Sequence, residues 1–252
     1  MNKNAMHATA TNLLRPAGRW PDDVMLWHVQ IPLSPAAWNW LQVCLPDDEQ
    51  KRALRYRHND DRLRFAATRA ILRILLARHT GSAPLSLCFS SGAFGRPELA
   101  GYGETLSFNV THAGQHALIA ISEQRCIGVD IEFIRRVIAW KALLETVCTD
   151  AEQRALSARD YISGAQGFLR CWTAKEAALK AIGVGIWCGV QRVSVDPFAD
   201  GAQYIDPPAI SAWNNISALH LHWVDDLSDY IGCIAFGPPG SVSTRLRKST
   251  LC

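Results

Sequence analysis

Apolar and polar residues alternate with a period of two from Val24 to Ile31, which reads as a strand. Val24, Leu26, His28 and Gln30 fall on one face, and Met25, Trp27, Val29 and Ile31 make an apolar second face. Similar short runs at Leu85 to Ser90, Ala117 to Ser122, Cys126 to Glu132, Val193 to Val195, Ala218 to Val224 and Tyr230 to Phe236 predict further strands. Ala117 to Ser122 and Cys126 to Glu132 are expected to pair as a hairpin through Glu123-Gln124, echoed in shape by the last two runs. Helical patterning fills the gaps. Ser34 is placed to cap a helix opening at Pro35, and acids at Asp47 and Asp48 mark another start. From Lys51 to His79 a core stripe of Leu63, Ala67, Ala70, Ile71, Ile74 and Leu75 predicts a long helix, stopped by Gly81 and Pro84. Trp140 to Val147 reads as a helix, Thr149-Asp150-Ala151-Glu152 as a capping box, and Trp172 to Gly183 as an Ala-rich helix closed by glycine.

Within this frame one strand is chemically unusual. In Gly128-Val129-Asp130-Ile131-Glu132 the alternation puts Asp130 and Glu132 on one face, with Gly128 clearing space beside them. Two like charges side by side need a compensating cation, and a hard divalent ion such as Mg²⁺ takes oxygen ligands of this kind. On the later helix, spacing of four places Trp172, Glu176 and Lys180 on one stripe, offering a third carboxylate and an amine to the strand pair. Taken singly, Asp130 and Glu132 also fit a solvated strand face. Glu176 and Lys180 also fit a surface ion pair worth a few tenths of a kcal/mol.

Composition narrows the classes. The chain has 252 residues and a net charge of +3, too small to argue for a nucleic-acid binder on charge alone. Eight arginines between Arg52 and Arg78 read as a solvated face, with an RNA-binding helix as the sharper competitor, though aromatic stacking partners are sparse. The pairs His112/His116 and His220/His222 lack the three or four assembled ligands that zinc requires. The eight cysteines include no C-x-x-C pair, and the first twenty residues hold no continuous apolar stretch. Reduced core cysteines in a cytoplasmic protein, with no membrane span, are expected.

Asn109-Val110-Thr111-His112, the GVDIE strand and Trp172-Thr173-Ala174-Lys175-Glu176-Ala177-Ala178-Leu179-Lys180 together resemble the signature of Sfp-type 4′-phosphopantetheinyl transferases. That pattern, G-(I/V)-D-(I/V)-E followed by W-(S/T)-x-K-E-(S/A)-x-x-K, is matched at every specified position. The resemblance includes Gly95-Arg96-Pro97 and the helix near Arg64, and spans Asp47 to Asp196. It implies an enzyme that moves the phosphopantetheine arm of coenzyme A onto a serine of an apo acyl or peptidyl carrier protein, with Mg²⁺, releasing 3′,5′-ADP. It also implies an α+β fold of two similar pseudo-repeat halves with the active site in the cleft between them. Carried over residue by residue, Asp130, Glu132 and Glu176 are expected to hold the metal and Glu176 to activate the serine. Lys180 is expected to neutralise a phosphate oxygen. Arg52, Arg64 and Arg96 are expected on the nucleotide end, the first two at its 3′-phosphate, and Thr111 and His112 on phosphate oxygens. The expected organisation is a loose extension (1–20), an N-terminal half (21–122), a C-terminal half (123–240) and a flexible tail (241–252), in a monomer that binds neither nucleic acid nor membrane. A relative that holds coenzyme A or a carrier without catalysis is the alternative.

Overall fold

Residues 9–92, 94–134, 139–185, 189–199, 203–205 and 219–243 are described by the computed structural model. The strands are β1 (Thr11–Leu14), β2 (Met25–Gln30), β3 (Phe89–Ser91), β4 (Pro97–Leu99), β5 (Ser107–Ala113), β6 (His116–Ser122), β7 (Ile127–Phe133), β8 (Gln203–Ile205), β9 (Leu219–Val224) and β10 (Tyr230–Phe236). The α-helices are α1 (Trp38–Leu41), α2 (Asp47–Leu54), α3 (Asn59–Thr80), α4 (Trp140–Val147), α5 (Asp150–Ser157) and α6 (Tyr161–Ile182). Two four-stranded antiparallel sheets result, ordered β1-β2-β6-β5 and β7-β10-β9-β8, beside a small β3–β4 ribbon.

Period-two patterning gives each sheet two apolar faces, so each is covered twice. Leu26, Leu118 and Ala120 of the first sheet pack on Ile127, Val129, Ile131 and Ile234 of the second. The opposite face of the first sheet, with Val29, Ile119 and Ile121, buries Leu63, Ala67, Ile71 and Leu75 of α3. The outer face of the second, with Leu221, Cys233 and Ala235, buries Phe168, Ala174, Ala178 and Ile182 of α6. Four layers follow, helix–sheet–sheet–helix. Both long helices end on a left-handed glycine, Gly81 at φ +68° and Gly183 at φ +79°. No helix among the described residues is long and apolar enough to cross a membrane.

Several expectations need correction. β6 and β7 do not form a hairpin: Ser122 Oγ accepts from the amides of Gln124 and Arg125, and the chain passes from one sheet to the other. Their apolar faces stack across the seam instead of their edges pairing. The first twenty residues are not all loose, since Thr11–Leu14 pairs with β2. Val193 and Val195 are buried but belong to no strand, and the strand expected from Leu85 begins only at Phe89. Ser34 precedes a short 3₁₀ turn, where its carbonyl accepts from the Ala37 amide at 2.9 Å but its side chain makes no cap. Ser241 in the expected tail is buried, and its Oγ accepts from the Cys126 amide at 3.0 Å. Residues 244–252 lie outside the described set.

The arginine-rich stretch departs most from expectation. It breaks between α2 and α3, and Arg69 and Arg73 are buried rather than solvated. Arg73 Nε donates to Glu49 of α2 at 2.8 Å, and its Nη1 donates to the carbonyls of Pro84 and Leu87. These cations hold helices and loops together and are closed to an RNA backbone.

Candidate active site

β5 and β7 are edge strands of different sheets that lie side by side without backbone pairing. Side chains of β5 make the connection. Ser107 Oγ accepts from the Ile127 amide at 3.1 Å, and Asn109 Oδ1 accepts from Val129 at 2.9 Å. One step further, Thr111 Oγ1 donates to Asp130 Oδ1 at 3.0 Å. The period of two that aligns Ser107, Asn109 and Thr111 therefore sets the position of Asp130.

The other wall is α6. A Cβ on Gly128 would lie 2.0 Å from the Ala177 carbonyl and 2.4 Å from the Ala181 amide, so the helix backbone rests directly on the strand. That approach brings Lys180 Nζ to 2.6 Å from Asp130 Oδ1 and 3.7 Å from Glu176 Oε2. Burial raises the Glu176 carboxyl above the ordinary carboxylate range. Lys180 pulls it down, while Asp130 and Glu132 push it further up. Burial works against the Lys180 ammonium, yet Asp130 and Glu176 hold its pKa above the usual lysine value. Asp130 Oδ2 is buried and has no hydrogen-bond partner. Three carboxylates around one lysine, one of them with an orphaned oxygen, fit a hard divalent cation with oxygen ligands.

Asn109, Glu176 and Lys180, with Phe94, Arg96 and Gly185, bound a recess of about 290 Å³. His112 sits nearby with an exposed tip. Shielding on its protein side, together with the cations of Arg64 and Lys180, lowers its imidazole pKa. Arg64 donates from Nε to the Gly114 carbonyl at 2.9 Å and from Nη1 to Asp61 at 2.5 Å, facing an open groove lined by His58, Asn59 and Asp60. Arg52 is exposed and stacks 5.0 Å from the Phe65 ring centre. Asp130, Glu176, Lys180 and Thr111 thus come together, Glu132 is near enough to act on Glu176, and His112 is near enough to feel both Lys180 and Arg64, the latter lining a separate groove. Arg96 is different: its guanidinium is bonded to backbone carbonyls of β5, β7 and α6. His112 and His116 do not share a face. His116 lies on β6 with its Nδ1 2.8 Å from His28 Nε2.

Sequence reading missed the ion pair behind the site. Lys175, beside Glu176, is completely buried; its Nζ donates to Glu152 Oε2 at 2.6 Å and to the Val147 carbonyl at 2.7 Å. Glu152 is the capping-box acid of α5, and it also accepts from the amides of Thr149 and Val195. The signal was present, since a lysine one place off an exposed stripe on an otherwise apolar helix requires a buried acid.

Comparison with known proteins agrees with the resemblance. Residues 126–235 match the 4′-phosphopantetheinyl transferase superfamily, and residues 32–124 match the 4′-phosphopantetheinyl transferase N-terminal family. The chain is 35% identical to slr0495 of Synechocystis sp., provisionally named a 4′-phosphopantetheinyl transferase, over 69% of this chain and 70% of that one. It is 34% identical to the 4′-phosphopantetheinyl transferase HetI of Nostoc sp., over 66% of this chain and 70% of HetI. Identity to the 4′-phosphopantetheinyl transferase AcpT of Salmonella typhimurium is 33%, over 49% of this chain and 61% of AcpT.

Proposed function

The chain belongs to the 4′-phosphopantetheinyl transferase superfamily, and we propose that the junction of β5, β7 and α6 is where it performs the transfer. It is a transferase that moves phosphopantetheine onto a carrier protein, and its family draws that arm from coenzyme A. In our reading, residues 21–122 and 123–240 are the two pseudo-repeat halves, with coenzyme A in the cleft between them. Arg64 and Arg52 meet its 3′-phosphate, guanidinium groups being suited to charge-assisted bonds with phosphate oxygens. His112 faces the phosphates. Asp130, Glu132 and Glu176 would hold a magnesium ion, which when bound supplies positive charge to the pyrophosphate.

Glu176 is the base in this reading. Its raised pKa brings a carboxylate nearer the range in which it can take a hydroxyl proton. The carrier serine Oγ gives that proton to Glu176 and forms a bond to the phosphorus of the arm. The P–O bond to 3′,5′-ADP breaks, and Lys180 neutralises charge on a phosphate oxygen. Thr111, donating to Asp130, keeps that carboxylate turned toward α6.

The observation that carries the reading is the buried Asp130 carboxylate, with one oxygen held by Thr111 and Lys180 and the other left without a partner. Intact-mass measurement of several apo-carriers incubated with the protein, coenzyme A and Mg²⁺ should show the gain of one arm. Asp130→Asn should slow transfer by roughly 10²-fold or more, the scale of losing one charged group aimed at developing charge. Transfer at the wild-type rate by that variant would remove Asp130 from the machinery.

A further inference from the structure

Arg96 stands in a tight turn, between Gly95 at φ +77° and Pro97, with the Gly92 amide bonded to its own carbonyl at 2.8 Å. The turn aims its side chain into the place where both sheets meet the end of α6. There Nη1 donates to the carbonyls of Lys180 and Ala181, the second at 3.3 Å. Nη2 donates to the carbonyls of Phe108 on β5, at 2.7 Å, and Ile127 on β7, at 2.9 Å. A guanidinium carries four hydrogens on its two Nη atoms, and they are surrounded by protein acceptors: these four carbonyls and Ser107 Oγ, 3.5 Å from Nη2.

Two physical consequences follow. The last carbonyls of a helix have no partner within it and carry the negative end of its dipole, so a cation at that end satisfies and stabilises them. Arg96 does this for the Ala181 carbonyl and, beside the Gly183 amide at 3.2 Å, for the carbonyl of Lys180 itself. To serve a phosphate, the same hydrogens would have to abandon carbonyls of three elements, and an unsatisfied buried carbonyl is costly. Lysine could not fill the place, since an ammonium has three donors on one atom and cannot span a planar fork of four acceptors.

We propose that Arg96 is a positioning residue: its two Nη groups tie the last turn of α6 to β5 and β7, and so fix the register of Lys180 and Glu176 against Asp130, instead of donating to coenzyme A. This rests on the transfer reading above. If the wild-type protein loads no carrier, that reading fails and the assignment of Arg96 has not been what failed.

The test compares Arg96→Lys and Arg96→Met in the full chain with Mg²⁺ and saturating apo-carrier, measuring kcat and KM for coenzyme A. A displacement of about 1 Å can cost roughly 10²-fold in rate, so kcat should fall at least about tenfold in both variants. KM for coenzyme A should stay within about twofold of wild type, because the nucleotide contacts of the positioning scheme lie elsewhere. Amide hydrogen exchange at residues 181–184 should accelerate in both. Restoration of wild-type kinetics by lysine, with methionine raising KM tenfold at unchanged kcat, would assign Arg96 to the nucleotide and overturn the proposal. Wild-type kinetics in both variants would overturn it as well. Should the methionine variant fail to fold, the lysine variant decides between the same outcomes by its kcat.

Discussion

α3 and α6 are both 22 residues long, both lie on the outer face of a four-stranded antiparallel sheet, and both are bolted to a preceding short helix by a buried cation and carboxylate. In α3 the bolt is Arg73 with Glu49 of α2; in α6 it is Lys175 with Glu152 of α5. Only α6 adds an acid and an amine facing a pair of strand acids. The cause lies in the strands. β6 meets α3 with Ala117, Ile119 and Ile121, whose side chains hold the helix off, whereas β7 offers Gly128 and lets the α6 backbone touch. Close approach plus Asp130 on the same face gathers Asp130, Lys180 and Glu176, the set proposed above for the transfer. The same scaffold does two jobs, and one glycine marks the difference.

The largest effects test the bolts. Removing one partner of a buried ion pair leaves the other charge uncompensated and costs about 3–5 kcal/mol. Lys175→Met should therefore destabilise by this amount and Arg73→Met by less, because Arg69 Nε remains 3.5 Å from Glu49; both are read from urea midpoints at constant m-value. Their folded fractions should differ in activity. Lys175→Met disturbs the residue next to Glu176 and should lower kcat, while Arg73→Met should keep the wild-type kcat below its unfolding transition. An equal fall in kcat would mean that the two helices do not divide labour as described.

Next in size is Gly128→Ala. Its new methyl would collide with the backbone of α6, and overpacking of this sort typically costs about 1–3 kcal/mol. Because the helix must retreat, carrying Lys180 and Glu176 from Asp130, the rate should fall roughly 10²-fold, out of proportion to the stability lost. Ile119→Leu under α3 is the mirror control: a volume-conserving change costing less than about 1.5 kcal/mol with no change in rate. A Gly128→Ala enzyme with normal kcat would show that the close approach is incidental.

How much of this could be read in advance follows from what periodicity encodes. Patterning reports which face a side chain occupies, so the shared face of Asp130 and Glu132, the stripe of Trp172, Glu176 and Lys180, and the capping box at Thr149 were all legible. Patterning does not report which edges meet. Ala117 to Ser122 and Cys126 to Glu132 have the look of a hairpin because both are short and apolar, yet they stack across a seam. Nor does a count of charges reveal partners. Arg69 and Arg73 looked solvated because Glu49 stands about twenty residues upstream, and Lys175 could not be paired with Glu152 before α5 was placed beside α6. Arg96 shows the same limit: its turn was visible, but the four carbonyls it reaches come from segments far apart in the chain.

The smallest predicted effect distinguishes the sheets by pH. On the first sheet His28 is buried in the seam, its Nε2 2.8 Å from His116 Nδ1; burial, then the neighbouring His116, pushes its pKa down to about 4 from 6.5. A folded pKa below the unfolded one means that the unfolded chain takes a proton the native state refuses. Stability is thus complete above pH 6.5 and is lost as pH falls toward 4. Linkage places the loss at about 1 kcal/mol by pH 6 and about 2 kcal/mol by pH 5. On the second sheet His220 and His222 are also pushed down by burial, but they are partly exposed and stack on Phe236. Urea titrations from pH 7 to 5 should therefore show His28→Gln flattening the acid-side decline, because glutamine keeps a donor for His116 and does not titrate. His222→Gln should flatten it less. Equal flattening by the two would place the acid sensitivity in both sheets alike, and the asymmetry between them would then be confined to the strand that carries Gly128 and Asp130.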